Sequence, residues 1–303
     1  MTVVEAAPPS APPLQGYRLK KYLRPAALPF TFCPGCGCGT VLNVFSSAVE
    51  SLGIKPEDIC MVSGIGCSSW IPSPYFRADT LHTTHGRALA FATGVKIMKP
   101  GMKVVVISGD GDIAGIGGNH LIHAARRNIG ITVIMVNNQI YGMTGGQVAP
   151  TTPIGTKTVT TPYGNVENPF SISEFVASAG AGYVARWTTA HPFQLKGAIQ
   201  KALGKNCFSF IEIMSQCPEY YGRKAGFATP ADLLKFIKGM CIGGEEAAKL
   251  PKERLEGRIV VGTIAEREGM NEFTDGHREI LERLEKPKTG SRQNRKAGGG
   301  GRR

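Results

Sequence analysis

The chain has 303 residues, 42% of them apolar, enough for one large domain or two small ones. No apolar run is long enough to span a bilayer, and the opening MTVVEAAPPSAPPLQ has no basic stretch followed by an apolar core, so a secretory signal is not expected. The formal charge of +12 points toward nucleic acid, but residues 1–30 and 286–303 hold +3 and +7 of it, leaving an unremarkable +2 for the body.

Residues 1–29 read as a flexible Ala/Pro-rich leader and surface arm. Within this lead-in, GYRLKKYLRPAALPF is basic and is predicted to lie on the surface of the domain or on a partner. FCPGCGCGT then forms a Gly/Cys loop feeding a helix, Val41 to Leu52, with Val41, Leu42, Val44, Phe45 and Val49 at helical spacing. Asp58 to Val62 is a short strand, and Gly64-Ile65-Gly66-Cys67-Ser68-Ser69 is a loop at its end. HTTHGRALAFATGVKIMKPG gives a turn at His85-Gly86 and an Ala-rich helix to about Met98, stopped by Pro100-Gly101.

Lys103 to Gly146 is the most informative stretch. The apolar run Val104 to Ile107 breaks into Gly109-Asp110-Gly111-Asp112. A helix follows, and a second run, Ile131 to Val136, ends in Asn137-Asn138. Such runs, one helix apart, read as a strand-helix-strand unit of a parallel sheet. Ligands of these sheets sit outside the carboxyl ends of the strands, so Asp110 and Asn138 come together there. Both offer hard oxygen atoms, suited to Mg2+ holding a diphosphate, and Gly111 lets the backbone approach the phosphates. GDG alone reads as an ordinary strand-to-helix turn; GDG followed one crossover later by NN points further.

Residues 147–170 are rich in Thr, Pro and Gly and lack periodicity, as expected of a lid, a cofactor cover or a subunit contact. The α/β pattern then resumes: helix Ser171 to Ala179, strand Tyr183 to Arg186, helix Pro192 to Leu203 and strand Phe208 to Met214. Residues 230–285 form a C-terminal arm with one strand, Arg258 to Ile264, and a polar helix, His277 to Leu284. Residues 286–303 are a disordered basic tail.

Eight cysteines in a chain with no export signal point to metal or catalysis before disulfides, in a reducing, cytoplasmic setting. Cys33-Pro34-Gly35-Cys36 aims two thiolates at one metal or cluster. Zinc and a redox pair are the alternatives to iron–sulfur; a second C-x2-C, usual in zinc ribbons, is missing, and the single Cys67 and Cys217 suit a [4Fe–4S] cluster. Cys38 competes as a ligand. Cys60, Cys207 and Cys241 read as small buried apolar side chains.

GDG with NN resembles the thiamine diphosphate (TPP) motif, which implies Asp110, Asn138 and the carbonyl of Ile140 as Mg2+ ligands. From Leu23 to Gly222 the chain resembles the β subunits of the 2-oxoacid:ferredoxin oxidoreductases. The resemblance rests on CPGCG at Cys33, SGIGCSS at Ser63, HTTHGRA at His82, GDGD at Gly109, NNQIYGMTGGQ at Asn137 and CP at Cys217, in that order. It implies an α/β fold with a doubly wound, mostly parallel sheet, the diphosphate module of TPP enzymes, over residues 30–229. It implies Cys33, Cys36, Cys67 and Cys217 as ligands of one [4Fe–4S] cluster, and TPP contacts at Ile65, Gly66, Cys67, Ser68, His85, Gly109, Gly111, Asp112, Gly142 and Met143. Cys38 departs from the family's histidine. His82, His120 and His123 read as packing or capping residues, and Arg87 either as an aid to an anionic group or as half of a surface ion pair.

The implied activity is oxidative decarboxylation of a 2-oxoacid with coenzyme A to acyl-CoA and CO2, reducing ferredoxin. GMTGG at Gly142 and CPEYYGR at Cys217 favour 2-oxoglutarate, giving succinyl-CoA; pyruvate and branched-chain 2-oxoacids are the alternatives. With one diphosphate module and no second α/β repeat, the activating glutamate is expected on a partner α (or α/γ) subunit. The rivals from other classes are a non-redox TPP enzyme and a zinc-stabilised nucleic-acid-binding protein.

Overall fold

A computed structural model describes residues 17–285. The leader residues 1–16 and the tail 286–303, with the expectations made for them, lie outside the described residues.

Among the described residues the strands are β1 (Ile59–Ser63), β2 (Asp79–His82), β3 (Lys103–Gly109), β4 (Ile131–Asn137), β5 (Ile140–Tyr141), β6 (Gln147–Val148), β7 (Tyr183–Thr188), β8 (Ser209–Met214), β9 (Cys241–Gly243) and β10 (Ile259–Glu266). The helices are α1 (Gly37–Ser51), α2 (Ala88–Met98), α3 (Gly118–Arg126), α4 (Ile172–Ser178), α5 (Pro192–Gly204), α6 (Pro230–Met240), α7 (Gly244–Ala247) and α8 (Phe273–Glu285). Eight strands form one sheet in the order β2-β1-β3-β4-β8-β7-β10-β9. From β2 to β7 every pairing is parallel; β10 runs antiparallel to β7.

The central strands are apolar throughout because both faces are covered. Alternate residues serve opposite faces. Val105, Ile107, Ile134, Val136, Ile211 and Ile213 join the core under α1 and α5. Val104, Val106, Val133, Met135, Phe208 and Phe210 join the core on the other face, with α2, α3 and α4. Helices on both faces of a parallel sheet are the doubly wound arrangement expected. The strand order reverses beside β1, which has β2 on one side and β3 on the other, so a crevice opens at the carboxyl ends of β1, β3 and β4.

Three elements differ from expectation. The basic lead-in is not confined to the surface: Leu19, Tyr22 and Leu23 enter the core beside α1, and Tyr22 stacks on Phe76. Helix α1 starts four residues early, at Gly37, because the Cys33–Cys36 turn already points the chain into it. Residues 230–285 add β9 and β10 to the edge of the main sheet, and helix α6 opens on Thr229, whose hydroxyl caps the Asp232 amide.

Beneath the crevice, Glu212 on β8 is buried and accepts from Asn137 Nδ2 (2.7 Å), Ser173 Oγ (2.6 Å) and Arg186 Nε (2.8 Å). Arg186 also binds both carboxylate oxygens of Glu174, at 3.0 and 2.7 Å. Burial opposes the guanidinium charge, yet Glu212 and Glu174 together raise its pKa above the ordinary arginine value.

Candidate active site

Loops at the ends of β1, β2, β3 and β4 enclose a cavity of about 620 Å³. The β1 loop contributes Ile65 to Ser68 and the β2 loop His85. Strand β3 leads into Gly109 to Asp112, and β4 into Asn138 and Ile140, followed by Gly142 and Met143. Every residue expected to touch TPP or Mg2+ therefore borders one space. Tyr141, Thr144, Gln147, Val148 and Thr160 border it too and were not anticipated. Among the described residues, no lysine, arginine or glutamate lines it.

Asp110, an expected Mg2+ ligand, is buried, and its Oδ2 accepts from the Thr151 hydroxyl. Burial pushes its carboxyl up to about 6, against the hydrogen bonds from Thr151 and backbone amides that lower it. A charge so held lacks a counter-ion, which suits a divalent cation. The Asn137–Ile140 turn is set from several sides. Asn137 binds Glu212 and accepts the Gln139 amide at 3.2 Å, Gln139 has a positive φ of 62°, and Asn138 Oδ1 accepts the Ile140 amide at 3.1 Å. Thr152 Oγ1 holds the Gln139 carbonyl at 2.7 Å.

Gly111 is required by its packing. A Cβ there would fall 2.1 Å from the Tyr141 ring, whose hydroxyl donates to the Gly111 carbonyl at 3.0 Å. Gly111→Ala is expected to displace Tyr141 and destabilise the chain by about 1–3 kcal/mol. Thermal unfolding of G111A beside G111A/Y141A checks this; the second change should recover part of the loss.

The cysteines converge beside this cavity. The Cys36 amide donates to the Cys33 carbonyl, closing the C-x2-C turn, with Gly35 at φ 76°. Gln216 stitches that turn to the end of β8: its side chain accepts from Thr189 and donates to the Gly35 carbonyl, and its carbonyl accepts the Gly37 amide. Cys217 follows, its Sγ 3.5 Å from where a Cβ of Gly142 would lie, while Cys67 lines the cavity itself. Burial pushes the Cys67 thiol up to about 11, helped by Cys36, Cys217 and Cys33. Cys38 is buried in the first turn of α1, and its hydrogen bond draws Cys36 down to about 7. Thiols that raise one another's pKa ionise together only around a positive centre. Among the described residues no three His, Cys, Asp or Glu side chains converge on a single-ion position. A four-iron cluster makes a looser demand, since each thiolate takes its own iron.

Other expectations sort clearly. Cys60 and Cys207 are buried, whereas Cys241 is half-buried and its Sγ donates to the Ile237 carbonyl. Arg87 does not line the cavity; its guanidinium lies 2.9 Å from His120 Nε2, a ring whose pKa burial and Arg87 both lower. His82 Nδ1 lies 3.1 Å from Ser63 Oγ. No helix among the described residues is long and apolar enough to cross a membrane.

A family profile described as "Thiamine pyrophosphate enzyme, C-terminal TPP binding domain" matches residues 64–213. The 2-oxoglutarate synthase subunit KorB of Methanocaldococcus jannaschii is 54% identical over 264 residues, covering 87% of this chain and 97% of that one. Its counterpart from Methanothermobacter marburgensis is 55% identical over 246 residues, 81% of this chain and 86% of that one. The solved 2-oxoglutarate:ferredoxin oxidoreductase from Magnetococcus marinus, with 2-oxoglutarate, coenzyme A and succinyl-CoA bound, superposes with a TM-score of 0.78 at 32% identity, covering 92% of this chain and 94% of that one. A TPP-type fold, a cavity at the expected strand ends and near-full-length relatives agree: the chain belongs to the β-subunit family of the 2-oxoacid:ferredoxin oxidoreductases, on the branch of the 2-oxoglutarate synthase subunits KorB.

Proposed function

We propose that this chain is the subunit of a cytoplasmic 2-oxoglutarate:ferredoxin oxidoreductase that grips TPP–Mg2+ and carries a [4Fe–4S] cluster. The assembled enzyme converts 2-oxoglutarate, coenzyme A and two oxidised ferredoxins to succinyl-CoA, CO2, one proton and two reduced ferredoxins. Support for the reading comes from the gathering of every residue expected to touch TPP or Mg2+ around one cavity, with the Cys217 sulfur beside it.

Asp110, Asn138 and the Ile140 carbonyl would hold Mg2+, with Gly109 and Gly111 beside the diphosphate. Cys33, Cys36, Cys67 and Cys217 would hold the cluster. When bound, the cofactor supplies the electron sink for decarboxylation and the cluster the one-electron relay. The chain's own part is to bind and orient. The cavity presents Asp110 and Asp112 but no cation and no glutamate. The glutamate that activates the aminopyrimidine, and the positive charge for the distal carboxylate of 2-oxoglutarate, are therefore assigned to the partner subunit.

The 147–170 loop is the proposed contact for that partner. It is held by its own bonds, with Asn165 Nδ2 donating to the carbonyls of Thr152 and Glu167 and the Gly155 amide to the Asn165 carbonyl. Thr160 reaches the cavity, while Tyr163 is 98% and Val166 88% exposed. A rigid loop presenting apolar side chains beside an open site suits a protein interface. Tyr163→Ser with Val166→Asp is expected to cost about 2 kcal/mol or more of association and leave the thermal midpoint of the separate chain unchanged, measured by co-purification and by unfolding.

Metal analysis tests the cofactor assignment. Anaerobically prepared protein should contain iron and acid-labile sulfide and show visible absorption that dithionite bleaches. Colourless protein with stoichiometric zinc would overturn it. Rates of the assembled enzyme on 2-oxoglutarate, pyruvate and 2-oxoisovalerate decide the substrate, with 2-oxoglutarate expected to be fastest.

A further inference from the structure

Asp112 is buried, and one of its oxygens serves three donors from two other loops. Oδ1 accepts the Ile65 amide at 3.0 Å and the Gly86 amide at 2.8 Å, and lies 2.9 Å from His85 Nδ1. Oδ2 is buried without a partner. A Cβ at Gly64 would stand 2.1 Å from Oδ2 and 2.2 Å from Oδ1, so the carboxylate is closed against the Gly64 backbone. Neither oxygen is free to meet a ligand, and a carboxylate facing a diphosphate would repel it.

His85 takes its orientation from this arrangement. Its Nδ1 has only acceptors nearby, Asp112 Oδ1 and the Ile65 carbonyl at 3.3 Å, so Nδ1 carries the proton. The side chain is 38% exposed and lines the cavity, which leaves Nε2 for whatever binds there. We propose that Asp112 is a positioning residue: it fixes the tautomer and direction of His85, so that Nε2 faces the diphosphate of bound TPP. This rests on the reading of the cavity as the TPP site and alters one part of it, moving Asp112 from cofactor contact to support. A carboxylate behind a histidine is a recurrent means of setting which ring nitrogen faces a ligand.

The test uses the enzyme assembled with its partner subunit, with TPP as probe at saturating Mg2+. His85→Ala should raise the Kd for TPP. Asp112→Asn keeps the shape and an acceptor oxygen but withdraws the charge that lets one atom hold three donors; it should raise the Kd about tenfold and leave KM for 2-oxoglutarate unchanged at saturating TPP. In the His85→Ala background, Asp112→Asn should have no further effect. Gly64→Ala, which forces the carboxylate to move, should behave as Asp112→Asn in both backgrounds. A wild-type Kd for Asp112→Asn, or an equal loss in both backgrounds, overturns the positioning role while leaving His85 as a contact. A wild-type Kd for His85→Ala overturns the contact and the positioning role together.

Discussion

Arg186→Ala is expected to lower the unfolding free energy by about 3–5 kcal/mol, the cost of leaving a buried charge unpaired. Glu212 is 2% exposed and loses its only cationic partner among the described residues. Ser173 and Asn137 remain as donors but carry no charge. Glu174, half-exposed, is left to solvent and suffers little. The loss should reach the site as well, because Asn137 hangs on Glu212 and sets the turn that carries Asn138. Denaturant unfolding gives the first quantity, and Mg2+-dependent TPP binding gives the second. A variant as stable as wild type would mean that solvent reaches Glu212, against its burial.

Asp110→Ala is expected to have the largest effect on activity. If Asp110 supplies the charged Mg2+ ligand, its removal breaks a buried charge pair worth about 3–5 kcal/mol, a fall in affinity of about 10²- to 10⁴-fold. Asp110→Asn separates binding from folding. In the metal-free chain burial disfavours the charge and pushes the carboxyl up to about 6. The neutral isostere keeps a partner for Thr151, so it should weaken TPP–Mg2+ binding while leaving the metal-free chain as stable as wild type or more so. Thermal midpoints with and without Mg2+ and TPP read both signs. Loss of stability with binding retained would remove Asp110 from the metal site.

Some of this was legible in the residues and some was not. Strands β1, β3, β4 and β8 are buried on both faces, so their sequences are apolar runs that announce themselves. Strand β2, Asp-Thr-Leu-His, is a short exposed edge with neither run nor alternation to reveal it. Helix α6 did carry a signal, Thr229 as cap with Pro230 behind it, which the charged composition of 230–285 obscured. At the site, Asp110 and Asn138 were readable because one crossover brings neighbouring strand ends together. The supports were not. Thr151 under Asp110, Tyr141 against Gly111 and Glu212 beneath Asn137 meet through contacts 30 to 75 residues apart in sequence, which periodicity does not encode. The bonds that close around Asp112 were hidden for the same reason, since its three donors come from the β1 and β2 loops.

The proposed function makes this chain half of an active site, complete for diphosphate and electron relay and incomplete for activation and substrate charge. It is tested most directly by following ferredoxin reduction by 2-oxoglutarate and coenzyme A, with TPP, Mg2+ and iron–sulfur-replete protein. The measurement is made first on this chain alone and then after adding the partner subunit. No turnover alone and rapid turnover on mixing is the predicted result; appreciable turnover by the isolated chain would contradict it.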